Sequence, residues 1–128
     1  MTQAFQNYLA NKDIQSSYIN DDQTVLRFDI NNVHYLFYYR QDADPTYIRI
    51  MIPNIANVDE NNVGEILTLL RLSQSYKVGK ALIENGQLWL ATDAFIYTRE
   101  NINLVFDRLI SVLNDMFSDY RMNQHEQE

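Results

Sequence analysis

An α+β two-layer sandwich, a five-stranded antiparallel sheet with three helices on one face, is what this sequence predicts. Three observations predict it. Asn85-Gly86 is the dipeptide that best fits a type I′ two-residue turn, because both central residues of that turn need positive φ. Short apolar-alternating runs flank it, Val78-Gly79-Lys80-Ala81-Leu82-Ile83 and Leu88-Trp89-Leu90-Ala91, and a helical pattern stands on each side of this hairpin at 77–93. The remaining elements complete the order α-β-β-β-α-β-β-α, in which strands joined by tight turns pair antiparallel and helices with one apolar stripe each cover one face.

Each element has its own signal. Residues 3–11 carry Phe5, Tyr8 and Leu9 at helical spacing, a short first helix. Asn20-Asp21-Asp22 is a turn cluster. Residues 24–30 alternate, with Leu26, Phe28 and Ile30 on one face. Asn31-Asn32 is a second tight turn, since Asn tolerates positive φ better than most residues. Residues 33–40 return as the next strand, and Asp42-Ala43-Asp44-Pro45 is a loop. Ile48, Ile50 and Ile52 share one face of a third strand over 46–52, which Pro53 is expected to end.

Residues 59–76 predict a helix with Asp59 as N-cap and Val63, Ile66, Leu67, Leu70 and Tyr76 as its buried stripe. The last helix is expected to begin near Thr98, with Glu100 in its first turn. Its stripe is the cleanest in the chain: Ile102, Val105, Phe106, Leu109, Ile110, Leu113, Met116, Phe117 and Tyr120. Residues 1–120 therefore form one domain, and 121–128 a polar tail expected to be disordered. At 128 residues the chain suits a single core.

Turn geometry also predicts register. A two-residue turn at Asn31-Asn32 sets Phe28 opposite Tyr35 and Leu26 opposite Phe37 on the core face. The other face then pairs Asp29 with His34, Arg27 with Leu36 and Val25 with Tyr38. In the second hairpin Ile83 faces Leu88 and Ala81 faces Leu90 in the core, while Leu82 faces Trp89 outside. Gly79 lies on the core face, where a missing side chain admits a helix. Leu36, Tyr38, Tyr47, Met51, Leu82 and Trp89 thus share an outer face that is apolar and aromatic rather than plainly polar. Trp, Tyr and Met are enriched at interface cores, so these six are the candidate protein interface, either a homodimer seam or a partner site.

Composition narrows the function. The net charge is −7, from 10 basic and 17 acidic residues, and no basic run offsets it. Nucleic acid and anionic membrane are therefore not expected partners. No apolar run reaches membrane-spanning length. Residues 1–6 lack a basic n-region and an apolar h-region, so no secretory signal is expected and the default setting is cytoplasmic. With no cysteine, disulfides, thiolate zinc sites and thiol nucleophiles are excluded.

Little points to catalysis. His34 with Asp29 is the one His–carboxylate pair that the register joins, and a surface ion pair accounts for it. No Gly-x-Ser-x-Gly element supplies a nucleophile. His125 lies beside Glu126 in the tail, and Asp42-x-Asp44 is too short a match for a calcium loop. Three glycines cannot form a phosphate cradle. Glu84, Asp93, Glu100 and Asp107 are too scattered for an acid–base pair. No catalytic residue, cofactor or metal is expected.

The run Leu69-Leu70-Arg71-Leu72-Ser73, continuing through Val78-Gly79-Lys80 to Asn85-Gly86-Gln87-Leu88-Trp89-Leu90, together with the element order, resembles the YbjN-like family. The resemblance implies the fold shared with class I type III secretion chaperones, for which small size, acidity and dimerisation are typical. It implies a loose link to sensory-transduction regulation and stress, and brings no catalytic residues. The expectation is a non-enzymatic protein-binding module, a chaperone-like or regulatory adaptor. The alternatives are a structural subunit of a larger complex, or a small-molecule sensor or enzyme with a pocket near Tyr35, Tyr39 and Asp29.

Overall fold

The computed structural model of the chain describes residues 1–40, 44–76 and 78–126, the last four as backbone only. Three helices pack on one open antiparallel sheet. The helices are α1 (Thr2–Ala10), α2 (Val63–Gln74) and α3 (Ile102–Glu126). The strands are β1 (Ser16–Tyr18), β2 (Val25–Ile30), β3 (Val33–Arg40), β4 (Thr46–Asn57), β5 (Gly79–Glu84) and β6 (Gln87–Ile96). They lie in the order β1-β2-β3-β4-β6-β5, so the sheet has six strands rather than the expected five. The added strand is β1, three residues that pair Tyr18 with Leu26 at the sheet edge. Ser-Ser-Tyr is too short to show an alternation.

Both tight turns form as the residue types dictate. Asn31 and Asn32 have φ of 52° and 66°, Asn85 and Gly86 of 52° and 73°. The registers follow: Phe28 pairs Tyr35, Asp29 pairs His34, and Leu82 pairs Trp89. Since β4 and β5 both run antiparallel to β6, they are parallel to each other, and α2 makes the crossover between them.

Pro53 does not end the third long strand. Pro53-Asn54-Ile55 bulges opposite Trp89, between the pairs Ile52–Leu90 and Ala56–Leu88. A bulge is where a strand tolerates a residue without an N–H, and Asn54 takes the positive φ of 52° that the bend requires. Most of the loop expected at Asp42-Ala43-Asp44-Pro45 lies outside the described residues; its last peptide, Asp44-Pro45, is cis.

The core lies between the sheet and the helices. Phe5 of α1 stacks on Phe37 at 4.1 Å between ring centroids and meets Phe106 of α3 edge-on at 4.9 Å. Leu26, Ile48, Ile50, Leu88, Leu90, Leu113 and Met116 are buried around them. Thr92, the one buried polar residue among those described, donates its hydroxyl to the Leu109 carbonyl at 3.0 Å. A Cβ on Gly79 would run into Met116 Sδ, so a side chain here would force Met116 of α3 to shift.

Three helix details correct the sequence reading. The N-cap of α2 is Asn62, whose Oδ1 accepts from Glu65 N at 3.1 Å; Asp59 instead closes the preceding turn through Asn61 N. The expected stripe of α2 holds only in part: Ile66 and Tyr76 pack against the core, but the buried residues of the helix are Leu69 and Leu72, while Val63, Leu67 and Leu70 are exposed at 70%, 49% and 50%. α2 is apolar around most of its circumference, so periodicity allows two facings and packing on β5 selects one. α3 starts at Ile102, not near Thr98, whose hydroxyl caps a turn through Glu100 N. Its backbone runs past Tyr120 to Glu126, into the expected tail.

Candidate functional site

The face of the sheet opposite the helices is the candidate site. Strand alternation and cross-strand register build it in rows. One row runs Arg27, Leu36, Met51, Ala91, Lys80 across five strands, and the next holds Trp89 opposite Leu82. On the other side lie Tyr38, Arg49 and Asp93, then Arg40, Tyr47 and Phe95. All six expected residues, Leu36, Tyr38, Tyr47, Met51, Leu82 and Trp89, stand on this face and are half-buried. Their neighbours carpet it closely enough that Ala91, pointing the same way, has no exposed surface.

Within the carpet sits an ionic hub. Asp93 Oδ2 accepts from Lys80 Nζ at 2.7 Å, Tyr47 OH at 2.7 Å and Arg49 Nη2 at 3.1 Å. Arg49 Nε also donates to Tyr47 OH at 2.9 Å, and its guanidinium lies over the Tyr47 ring. Burial alone would raise the Asp93 carboxyl; the hydrogen bonds from Lys80, Tyr47 and Arg49 outweigh it and hold its pKa below the ordinary value. The Tyr47 hydroxyl is pushed up to about 12, by burial and by its bond to Asp93. These groups compensate one another: the hub is a structural tie across β4, β6 and β5.

His34 Nδ1 lies 2.6 Å from Asp29 Oδ1, with Arg27 Nη2 3.2 Å from the same ring nitrogen. The three are about half exposed, as a surface pair should be. The side chain of His125 lies outside those described. Among the described residues, no three metal-ligating side chains gather into a cluster.

The sequence reading missed one aromatic on this face and another just beyond it. β6 extends to Ile96 with unbroken alternation, which brings out Phe95, 5.4 Å from the Tyr47 ring and 55% exposed. Tyr97 follows, 82% exposed. The alternation Asp93-Ala94-Phe95-Ile96 was the available signal.

The pocket expected near Tyr35, Tyr39 and Asp29 is divided by the sheet. Tyr35 is buried on the helix side, its hydroxyl donating to Asn114 Oδ1, and Asp29 is on the outer face. A shallow cleft of about 410 Å³ does lie between α1 and α3, lined by Tyr8, Lys12, Ile110 and Asn114 among others. Its Asp107 is already bound by Tyr8 OH and by Lys12 Nζ. No helix among the described residues is long and apolar enough to cross a membrane. In comparison with known proteins, the chain matches no family model and no curated sequence.

Proposed function

We propose that this chain is a non-enzymatic protein-binding module, a chaperone-like or regulatory adaptor of the cytoplasm, whose contact surface is the outer face of its sheet. One observation carries the reading. The described helices all pack on the other side, which leaves Leu36, Tyr38, Tyr47, Met51, Leu82 and Trp89 as a shared surface with Phe95 at its end. A solvated antiparallel face ordinarily alternates to polar residues. A surface rich in Trp, Tyr and Met, with Asp93 held among Lys80, Arg49 and Tyr47 within it, has the composition of an interface core. The likeness to the YbjN-like proteins supports the same reading.

The test is Trp89→Ala combined with Tyr38→Ala. Both side chains are half-buried, so the variant should fold. Self-association and recovery of a cross-linked partner should both fall, with far-UV circular dichroism unchanged. If neither falls, the outer face is not the contact surface.

A further inference from the structure

We infer that Asn85-Gly86, the tip of the β5–β6 hairpin, is a site of spontaneous modification, at which Asn85 deamidates through a cyclic imide to aspartate and isoaspartate. Asn85 is the only asparagine in the chain that precedes a glycine. The following residue matters because its backbone nitrogen is the nucleophile. That nitrogen gives its proton to solvent base and bonds to the Asn85 side-chain carbonyl carbon. The side-chain carbon–nitrogen bond breaks, and the nitrogen takes up a proton and leaves as ammonia. Water then opens the five-membered ring at either carbonyl, so one water is consumed and one ammonia released. Access favours this position. Asn85 is exposed, and its side-chain amide has no hydrogen-bond partner among the described residues. A Cβ on Gly86 would meet nothing within 4 Å. By contrast, the side-chain carbonyls of Asn20, Asn54, Asn57, Asn62 and Asn114 each accept a hydrogen bond. In the other tight turn, the side chains of Asn32 and Val33 crowd the nitrogens that would attack Asn31 and Asn32.

The turn supplies the conformation. Ring closure needs the Gly86 nitrogen on the same side of the Asn85 Cα–C bond as Cβ. With φ of 52° and 73°, Asn85 and Gly86 form a type I′ turn, whose first residue has ψ of about +30° and points that nitrogen away. Turning over the single peptide between them gives a type II′ turn, with ψ of about −120°, and brings the nitrogen to Cγ. Both turns close the same two-residue hairpin, so the strands stay paired through the flip. Gly86 passes from positive to negative φ without steric cost. Its carbonyl belongs to the next peptide and keeps its hydrogen bond from Val58 N at 2.9 Å. Type II′ prefers glycine at its first position, so the reactive form is the minor one, reached without unfolding. The two products differ in effect. Aspartate keeps the turn, since Asp-Gly suits type I′ as Asn-Gly does. Isoaspartate routes the main chain through Cβ and adds an atom to the turn that sets Leu82 opposite Trp89.

The experiment is incubation of the full chain in mildly alkaline buffer, native and urea-unfolded side by side, followed by digestion and mass spectrometry. A gain of about 1 Da should appear at Asn85 ahead of every other asparagine in both samples, as aspartate and isoaspartate together. The rate should rise with pH, because the attacking nitrogen must lose its proton. Gly86→Ala should slow the conversion, and the unfolded sample decides this alone if a Cβ at positive φ disturbs the native turn. Trp89 is the chain's single tryptophan, so its emission reads the hairpin. It should shift in the isoaspartate fraction and stay native in Asn85→Asp. Another asparagine reacting first in the native chain overturns the inference. So does an Asn85 that stays intact there while the unfolded sample converts, which would mean that the turn never flips. Aspartate formed without isoaspartate would exclude the ring, and native emission from the isoaspartate fraction would remove the effect on the hairpin.

Discussion

Asp93 concentrates more of the sheet's electrostatics than any other described carboxylate. Its side chain is 13% exposed, and three donors from three strands converge on one oxygen. Asp93→Asn removes the charge and leaves Lys80 and Arg49 facing an amide. Losing a charge-assisted bond of this kind costs about 1 to 3 kcal/mol. The pH dependence has a definite sign. The folded pKa lies below the ordinary 3.8, so the carboxylate's contribution is present above that value and lost as pH falls through the folded one. Native protein should therefore lose stability in acid more steeply than Asp93→Asn, as urea midpoints from pH 7 to pH 2 would show. Parallel acid limbs would remove Asp93 from the account.

At the scale of the element, α2 carries two apolar faces and the fold uses one. Leu69 and Leu72 pack inward, and Val63, Leu67 and Leu70 look outward along the opposite side. Leu69→Ala should cost about 2 to 4 kcal/mol, as a buried leucine does, while Leu67→Ala should stay within about 0.5 kcal/mol. Chemical denaturation of the two variants checks this, and a larger loss in Leu67→Ala than in Leu69→Ala would mean that α2 is turned the other way. The bulge in β4 is the other element that departs from pattern. It inserts two residues relative to β6, which keeps Ile52 and Ala56 in phase with Leu90 and Leu88 across Pro53. Trp89 Nε1 donates to Asn54 Oδ1 at 3.1 Å across it, tying the bulge to the outer face.

The whole molecule is held by contacts between elements far apart in sequence. Phe5 joins the first helix to Phe37 of the sheet and Phe106 of the last helix in one aromatic cluster. Because α1 has so few other buried side chains, Phe5→Ala should cost about 3 to 5 kcal/mol, a large part of a small domain's stability. Loss of cooperative melting, or a midpoint drop of several degrees, is expected; an unchanged melt would show that α1 contributes little to the core. The same layering leaves one sheet face without helices among the described residues.

Local chemistry was enough to read the two hairpins. Asn31-Asn32 and Asn85-Gly86 dictate their turns through φ, and a two-residue turn admits one register, so the pairing of β2 with β3 and of β5 with β6 was legible from the chain. The α3 stripe was legible because nine apolar residues repeat on one face. The six outer-face residues followed from register and alternation alone. The rest depends on partners distant in sequence. β1 exists because β2 offers an edge to three residues with no pattern of their own. β4 continues through Pro53 because β6 pairs on either side of the bulge. The facing of α2 is chosen by β5, since its own apolar residues permit either. Turn geometry and periodicity act within a few residues and are written in the sequence, whereas edges, bulges and the choice between two apolar faces are decided by what packs against them.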